Sequence, residues 1–304
     1  MIEWTVTETG SDSALFFLEQ NIPAAPRSYL RQLLRAGKVL RNGLPLSEEG
    51  VLRPGDQVTL AESARLRELL AATPPARLDL LYETRELLIV NKPAGLAIHR
   101  SKGHEDDNLQ ARVEALMKSR KAAFTTAPAH RLDLETSGPV LFAKGRQAAS
   151  RLGQLFMAGQ TGKHYLALVT GEMTGSGLLS TPVSAKGKIK EAATGFRSLA
   201  SDRGMSLLEL ELHSGRTHQI RQQLAAAGHP IAGDRRYGGV IPAELARMFL
   251  HCCRLTLPDP FGGPPIAVDS PLPDDLAVFL RHRHPSLAQA LCTKKRQILP
   301  TSPQ

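Results

Sequence analysis

Polar side chains crowd the chain just ahead of a predicted strand. They are His130, Arg131, Asp133, Glu135 and Thr136. The turn signal Ser137-Gly138-Pro139 separates them from the apolar run of residues 140–143, which predicts a buried strand entered from a tight turn. A carboxylate held there could act as an acid, a base or a nucleophile. Asp133 and Thr136 could equally bond their own backbone in a surface turn, and the residues alone leave both interpretations open.

Two further stretches extend this pattern. Downstream, residues 215–221 read Gly-Arg-Thr-His-Gln-Ile-Arg, followed by Gly228-His229-Pro230-Ile231 and Gly233-Asp234. Upstream, residues 89–95 read Ile-Val-Asn-Lys-Pro-Ala-Gly. Together with His-Arg-Leu-Asp at 130–133 and Thr-Ser-Gly at 136–138, they resemble the signatures of the RluA family of RNA pseudouridine synthases over roughly residues 78 to 257.

The resemblance implies an isomerase that detaches uracil from ribose at N1, turns it and rejoins it at C5. Such a reaction involves no redox step, so neither a cofactor nor a metal is expected. Asp133 corresponds to the catalytic aspartate of the family, and Arg221 to the arginine that pairs with it. Covalent attack at C1′, addition to the ring, and removal of a ribose proton to give a glycal all remain open as the role of Asp133.

Other site residues follow from the same resemblance. Tyr165 corresponds to the catalytic-site tyrosine that stacks on uracil and is expected to help with the proton at C5, and Arg131 corresponds to the residue that helps take the place of the flipped base. Arg216 and His218 are expected to contact phosphate or brace their loop, and Leu250 to pack on the other face of the base. Without the resemblance, Tyr165 would be an ordinary core residue and Arg221 a partner in a structural salt bridge.

Composition favours an anionic partner. The 304 residues include 38 Lys and Arg against 29 Asp and Glu, which gives a formal charge of +9 and a pI near 9.7. Cys252, Cys253 and Cys292 form neither a CxxC pair nor an even framework, so a disulfide scaffold or zinc site is disfavoured and a reducing cytoplasm is expected. Neither a signal peptide nor a membrane span is expected.

A basic helix is predicted near the N-terminus, opening at Pro26 and closing at Gly37. Its apolar face carries leucines, and its other face carries a basic ladder with no acidic residue between positions 27 and 41; the ladder is Arg27, Arg31 and Arg35, extended by Lys38. An Asn42-Gly43 hairpin follows. The arrangement resembles an S4 RNA-binding domain, although Ser13-Ala14-Leu15 departs from the usual Arg-Leu-Asp start.

We therefore expect an S4-like domain over 1–72, an α+β catalytic domain over 73–285 with a long, mixed, mostly antiparallel sheet, and a basic, partly disordered tail over 286–304. Residues 61–77, which are charged and end in the proline pair Pro74-Pro75, are expected to form a connector in which the domain boundary falls. The expected partner of this monomer is RNA, with large-subunit ribosomal RNA favoured over tRNA. Two other functions are weighed. A glycosidase would need a second carboxylate, for which Glu135 is the nearby candidate, and a noncatalytic ribosome assembly factor would use only the basic surface.

Overall fold

The computed structural model describes residues 1–7, 13–25, 27–71, 78–101, 103–105, 107–185 and 187–298. The chain divides into two compact units, Met1–Arg77 and Leu78–Gln304. Pro26, the proline pair of the predicted connector and the closing residues 299–304 lie outside the described residues.

In its described residues, the first unit combines three helices with a four-stranded antiparallel sheet in the order β1-β4-β2-β3. Its elements are β1 (Ile2–Thr5), α1 (Ala14–Asn21), α2 (Arg27–Arg35), β2 (Val39–Arg41), β3 (Leu44–Pro45), β4 (Gln57–Leu60) and α3 (Ala64–Ala71). Helix α1 begins where the Ser13 hydroxyl accepts a hydrogen bond from the Phe16 amide. The predicted hairpin is present, because Asn42 and Gly43 both take positive φ between β2 and β3.

The basic ladder on α2 is not a free run of positive charge. Arg27 forms an ion pair with Glu19 at 2.7 Å, while Arg31 and Arg35 share Glu48 at 2.6 and 3.4 Å. The absence of acidic residues near the ladder in sequence was therefore misleading, since the partners come from α1 and from the loop after β3. All three arginines remain solvent-exposed, and exposed ion pairs of this kind contribute only about 0–1 kcal/mol to stability.

The predicted charged connector contains a helix instead. Helix α3 occupies Ala64–Ala71, and its Leu66 is buried in the core of the first unit against residues such as Leu30 and Val58. The many charged side chains of this segment predicted a connector, although Leu66 among them packs in the core. The first unit therefore extends beyond the expected start of the connector, and the division between the units falls after Arg77.

The second unit confirms the expected α+β class. Its elements are β5 (Asp79–Glu83), β6 (Leu87–Lys92), α4 (Leu109–Ser119), β7 (Thr126–Pro128), β8 (Gly138–Lys144), α5 (Arg146–Met157), β9 (Gly162–Thr170), β10 (Ser176–Leu179), β11 (Val183–Ala185), β12 (Lys188–Lys190), β13 (Thr194–Asp202), β14 (Met205–Leu212), α6 (Gln219–Ala226), β15 (Leu250–Leu257), β16 (Ile266–Asp269), α7 (Asp274–Arg283) and α8 (Pro285–Ile298).

Two antiparallel sheets form the body of this unit. One has the order β5-β6-β8-β7 and the other the order β10-β13-β14-β9-β15-β16, while β11 and β12 form a separate hairpin. The two larger sheets meet at one parallel bridge between Ser137 and His251, where the Cys252 amide donates to the Ser137 carbonyl at 2.8 Å. The predicted long sheet is thus two sheets joined at the start of β8.

Gly138 makes this junction possible. Its φ is +130°, and a Cβ at this position would overlap the carbonyl oxygen of Cys252 and lie 2.7 Å from the Cβ of Cys252. Only glycine combines this backbone conformation with so close an approach. The predicted turn at 137–139 is therefore the contact point of the two sheets, and it places the end of the 130–136 stretch beside β15.

The predicted disordered tail begins with a helix. Helix α8 starts at Pro285, and Leu287 is fully buried in a cluster with Leu276, Phe279 and Leu280 of α7. A proline in the first helical position and an apolar residue that packs on a neighbouring helix account for the order. None of the helices in the described part of the chain combines the length and hydropathy needed to cross a membrane.

Candidate active site

The predicted site residues of the second unit line one cavity of about 750 Å³. All seven candidate residues from this part of the sequence line it: Arg131, Asp133, Tyr165, Arg216, His218, Arg221 and Leu250. They come from five places in the chain, namely the loop before β8, strands β9 and β15, the loop before α6, and α6 itself. The other four candidates, Arg27, Arg31, Arg35 and Lys38, belong to the first unit.

Asp133 lies at a turn that is anchored from behind. The Asp133 carbonyl accepts a hydrogen bond from the Thr136 amide at 3.1 Å, and the next carbonyl, that of Leu134, accepts from the Gly95 amide at 2.9 Å and from Lys92 Nζ at 3.0 Å. The carboxylate side chain keeps 15% exposure toward the cavity. The turn that the sequence suggested is therefore present. It is closed by backbone hydrogen bonds, which leaves the Asp133 side chain facing the cavity.

Lys92 is the buried anchor of this arrangement. Its Nζ donates to the carbonyls of Pro93, Leu96 and Leu134 at 2.8, 2.9 and 3.0 Å, and the side chain is fully buried. Burial lowers the pKa of Lys92 to about 7, aided by the positive charge of Arg247 and opposed by Asp133. Three acceptors match the three N–H groups of an ammonium, so the hydrogen bonds favour the charged form.

Arg221 lies between two carboxylates. Its Nη1 is 3.5 Å from Asp133 Oδ2, while Nε and Nη2 donate to Asp234 Oδ2 and Oδ1 at 2.7 and 2.8 Å. Burial disfavours the charged guanidinium, but the hydrogen bonds and charge of Asp234, together with Asp133, outweigh it and raise the pKa of Arg221. The expected contact with Asp133 is present, and the stronger, bidentate partner is the fully buried Asp234.

His218 is the second group that faces Asp133. It immediately precedes α6 with left-handed backbone angles, φ 54° and ψ 26°. Its Nε2 lies 3.9 Å from Asp133 Oδ2, which is too long for a hydrogen bond, and its Nδ1 lies 3.1 Å from the Tyr237 hydroxyl. Burial lowers the pKa of His218, with Arg221 and Arg236 acting in the same direction against Asp133 and Asp234.

Tyr165 and Leu250 form an apolar wall of the cavity. Tyr165 pairs with Cys252 across β9 and β15, and Leu250 pairs with Ala167, so the two side chains leave the same face of the sheet as diagonal neighbours. Burial raises the pKa of the Tyr165 phenol well above its ordinary value, and neighbouring Cys252 and Asp133 act in the same direction. The phenol is therefore neutral at physiological pH.

Two histidines brace the junction: His251 is buried, and His130 is half-buried and lines the cavity. His130 accepts from the Leu141 amide through Nε2 at 3.1 Å and stacks on Phe156. His251 contacts Ser137 Oγ at 2.9 Å and the Ser270 carbonyl at 3.1 Å. Burial lowers the pKa of His130 to about 3 and that of His251 to about 4, so both rings are neutral at pH 7.

The acidic residues at the site give no pair suited to hydrolysis. Within the described part of the chain, Asp133 is the only Asp or Glu that lines the cavity. Glu135 is exposed and is not among the lining residues. Among the described residues, no three His, Cys, Asp or Glu side chains are grouped so that they could hold a metal ion.

Several residues of the site were missed by sequence reasoning. Asp234 was noted only as part of a signature, Lys92 only as part of a turn, and Tyr237 and Arg247 not at all. Arg247 pairs with Asp275 at 2.6 Å while donating to the Glu135 carbonyl and to Ser137 Oγ, both at 3.3 Å. The signal for Asp234 was available, since a buried arginine needs an anionic partner. The other contacts join distant parts of the sequence.

Comparison with known proteins agrees with this site. Residues 86–226 match the family model described as RNA pseudouridylate synthase. The chain is 31% identical to ribosomal large subunit pseudouridine synthase D of Xylella fastidiosa, with 86% of each chain covered. It is 30% identical to ribosomal large subunit pseudouridine synthase C of Vibrio vulnificus, covering 86% of this chain and 89% of that protein.

Solved structures show the same architecture. Human RNA pseudouridylate synthase domain containing 1 aligns with a TM-score of 0.55 at 25% identity, covering 73% of this chain and 97% of that one. Human RNA pseudouridylate synthase domain containing 4 shares the fold with a TM-score of 0.57 and 23% identity. The chain belongs to the RNA pseudouridylate synthase family, and its activity is that of a pseudouridine synthase, an isomerase. The resemblance to that family is confirmed.

Proposed function

We propose that this chain converts specific uridines of large-subunit ribosomal RNA to pseudouridine, with Asp133 as its catalytic residue. The observation that carries the proposal is a single carboxylate, 3.5 Å from a buried arginine, in a cavity with one apolar wall. Isomerisation needs one carboxylate and a pocket that retains the detached base. A hydrolytic glycosidase would need a second carboxylate, and Glu135 is not placed to serve.

The reaction at Asp133 must balance within the nucleotide. The bond between C1′ and N1 breaks, uracil turns in the cavity, C1′ bonds to C5, and the proton on C5 leaves while N1 gains one. Nucleophilic attack on C1′, addition to the ring and formation of a glycal all begin at one ionised carboxylate. Arg221 Nη1 lies 3.5 Å from Oδ2 of Asp133 and orients that oxygen.

Tyr165 acts in this proposal as a surface for the base rather than as a proton acceptor. Burial keeps its phenol protonated, so a phenolate that could remove the C5 proton is not available at neutral pH. Stacking of a base on an aromatic ring contributes about 1–3 kcal/mol. Leu250 extends the same apolar wall and contributes contact area beside the ring.

Three basic or polar residues of the cavity are assigned to the RNA itself. Arg131 is exposed and lines the cavity, and in this proposal it occupies the space left by a uridine that has flipped out of its stack, a step that costs about a few kcal/mol. Arg216 donates to the Glu191 carbonyl at 3.3 Å and keeps exposed surface for a phosphate. His218 braces its loop through Tyr237.

We further propose that the first unit is an S4-like RNA-binding domain covering about residues 1–72, followed by the catalytic domain, and that the segment of α8 with the sequence Lys294-Lys295-Arg296 adds RNA affinity. Support comes from the order of α1, basic α2 and the Asn-Gly hairpin. Arg27, Arg31, Arg35 and Lys38 are all exposed. Because the ion pairs of the arginines are weak, phosphates can replace Glu19 and Glu48 as their partners.

The target, the compartment and the oligomeric state belong to the same proposal. Large-subunit ribosomal RNA is favoured because the relatives from Xylella and Vibrio carry that substrate in their names. Cys252, Cys253 and Cys292 are free thiols, as expected in a reducing cytoplasm. A monomer is part of the same proposal and is testable by light scattering at micromolar concentration.

Pseudouridine mapping tests the proposal directly. Total RNA is mapped by a carbodiimide block to primer extension in cells that lack the gene and in cells complemented with wild type, Asp133→Asn or Glu135→Gln. We expect discrete large-subunit sites to vanish on deletion and to return with wild type and Glu135→Gln but not with Asp133→Asn.

Other patterns would decide for other functions. Sites that vanish from tRNA alone would move the substrate to tRNA. Persistence of every site on deletion would leave the RNA-binding assembly factor as the function, and restoration by Asp133→Asn would remove Asp133 from its catalytic role. Failure of Glu135→Gln together with new abasic positions in wild-type RNA would indicate a glycosidase.

A further inference from the structure

Asp133 is approached by two groups that are themselves held by one short segment, residues 231–239. Asp234 in this segment grips Arg221 through two hydrogen bonds, and Tyr237 contacts His218 through its hydroxyl. Arg221 Nη1 and His218 Nε2 then face the same oxygen, Asp133 Oδ2, at 3.5 and 3.9 Å. Both groups that face the Asp133 carboxylate are therefore held by the segment 231–239, which we call the support.

The support is built rigidly. Asp234 Oδ1 accepts from the amides of Arg236 and Tyr237 at 3.0 and 3.2 Å, and the Asp234 carbonyl accepts from the Gly239 amide at 2.9 Å. Asp234 thus holds Arg221 and, through its own turn, the backbone of Tyr237. The Tyr237 ring lies 5.0 Å from the Arg221 guanidinium, a cation–π distance, so the ring touches both groups that face Asp133.

The charge on His218 determines which way the Tyr237 hydrogen bond runs. Burial and the positive charges of Arg221 and Arg236 lower the pKa of His218 against the attraction of Asp133 and Asp234, so the ring is neutral at pH 7 and has one N–H. Nε2 faces Asp133 Oδ2 at 3.9 Å, beyond hydrogen-bond distance, and the negative charge of that carboxylate favours a proton on Nε2 over a lone pair. The Tyr237 hydroxyl must then donate to Nδ1.

We propose that Tyr237 is a positioning residue for the isomerisation: its hydroxyl fixes the Nε2–H tautomer and orientation of His218, and its ring steadies Arg221, so that both donors are directed at Asp133 Oδ2. This inference rests on the proposed function of Asp133. Tyr237 itself need not touch the uridine. Its contribution lies in how the carboxylate is held while bonds at C1′ break and form.

Tyr237→Phe tests the hydroxyl alone, because the ring that faces Arg221 remains. The probe is [5-³H]uridine-labelled total RNA from cells lacking the gene, with tritium release followed under single-turnover conditions and RNA affinity measured separately by filter binding. We expect the release rate to fall about tenfold, equivalent to about 1.4 kcal/mol, with the dissociation constant unchanged. Tyr82→Phe is the matched control, because Tyr82 is a half-buried tyrosine of β5 that packs on a separate hydrophobic cluster, and this variant should retain full activity.

A double-mutant cycle asks whether the hydroxyl acts through His218. Asn tolerates the left-handed backbone at position 218, so His218→Asn removes the imidazole at little backbone cost. In that background Tyr237→Phe should produce no further loss in rate. Independent losses that multiply, or a loss confined to RNA affinity, would overturn the positioning role.

Side-chain ¹⁵N NMR supplies a readout that does not depend on turnover. His218, assigned by its disappearance in His218→Asn, should show a protonated Nε2 and an unprotonated Nδ1 in wild type, and a mixture of tautomers in Tyr237→Phe. A proton on Nδ1 in wild type would refute the inference whatever the activity. If wild-type protein released no tritium while His218 had the expected tautomer, the proposed function would be refuted instead. The hydrogen bond between Tyr237 and His218 would then stand, but without a role in catalysis.

Discussion

Replacement of Asp234 by asparagine is the most informative single perturbation of the support behind the active site. The side chain is fully buried and holds Arg221 through two hydrogen bonds of 2.7 and 2.8 Å. Asn has nearly the same shape but no charge. Its amide group can accept from one guanidinium N–H, and its NH₂ must then face the other, so Arg221 loses both a hydrogen bond and its nearest counter-charge.

The size of the effect follows from burial. Removing one partner of a buried ion pair costs about 3–5 kcal/mol because the remaining charge is left uncompensated. Asp133 still faces Arg221 at 3.5 Å, so we expect the lower end, about 3 kcal/mol. In a domain of this size that corresponds to a fall in melting temperature of about 6–12 °C. Loss of the guanidinium's orientation should also slow tritium release by about 100-fold.

Asp269→Asn is the matched control. Asp269 pairs with Arg254 in the same bidentate manner, at 2.6 and 2.9 Å, but its side chain is 65% exposed. Exposed pairs contribute about 0–1 kcal/mol, so this variant should melt within about 4 °C of wild type. Thermal unfolding followed by circular dichroism compares the two variants. Equal melting temperatures for Asp234→Asn and Asp269→Asn would refute the reasoning from burial, and normal tritium release by Asp234→Asn would refute the role of Arg221's anchor.

Three further predictions concern the junction of the two sheets and the loop of Asp133. Gly138→Ala should lower the free energy of unfolding in urea by about 3 kcal/mol or more, because its Cβ would overlap the Cys252 carbonyl at a φ of +130°. The control is Gly153→Ala on helix α5, whose Cβ would meet nothing within 4 Å, and this variant should be neutral or stabilising. Equal stabilities of the two variants would contradict this account. Because burial lowers the pKa of His251 from 6.5 to about 4, the unfolded chain takes up a proton below about pH 6.5 that the folded protein does not, so acidification from pH 7 to 5 should remove about 2 kcal/mol of stability through this residue. That part of the acid sensitivity should be absent in His251→Gln and retained in the exposed His282→Gln, and an unchanged slope in His251→Gln would refute it. Lys92→Met leaves the carbonyls of Pro93, Leu96 and Leu134 without their Nζ donor. This variant should lower the free energy of unfolding by about 2–3 kcal/mol and should also slow tritium release. A loss of stability without a slower release would show that the Leu134 contact does not position Asp133.

Local structure was predictable where the chain supplies its own signals. Strand β8 was predicted from its apolar run and turn, and the hairpin of the first unit from Asn-Gly. Helix α8 was missed although Pro285 is a common first helical residue and Leu287 and Leu291 share a face. Its basic residues led to the expectation of a tail.

Contacts between distant segments could not be predicted in the same way. The resemblance to a family supplied the meeting of Asp133 and Arg221, which periodicity alone does not contain. Nothing local indicated that Glu48 would pair with Arg31 and Arg35, or that Lys92 would donate to a carbonyl 42 positions away. Such contacts depend on how the sheets pack, so local charge patterns were least reliable where they mattered for function.

Residues from several parts of the chain position Asp133 and the arginine that faces it. A donor contributes most to a reaction when it already points at the developing charge and need not reorganise during the step. Here the cost of desolvating and aligning Arg221 is met during folding by Asp234, and the loop of Asp133 is held through Leu134 by Gly95 and Lys92. A uridine that enters the cavity therefore meets an aligned site, and substitutions behind the cavity wall should slow the chemical step without weakening the binding of RNA.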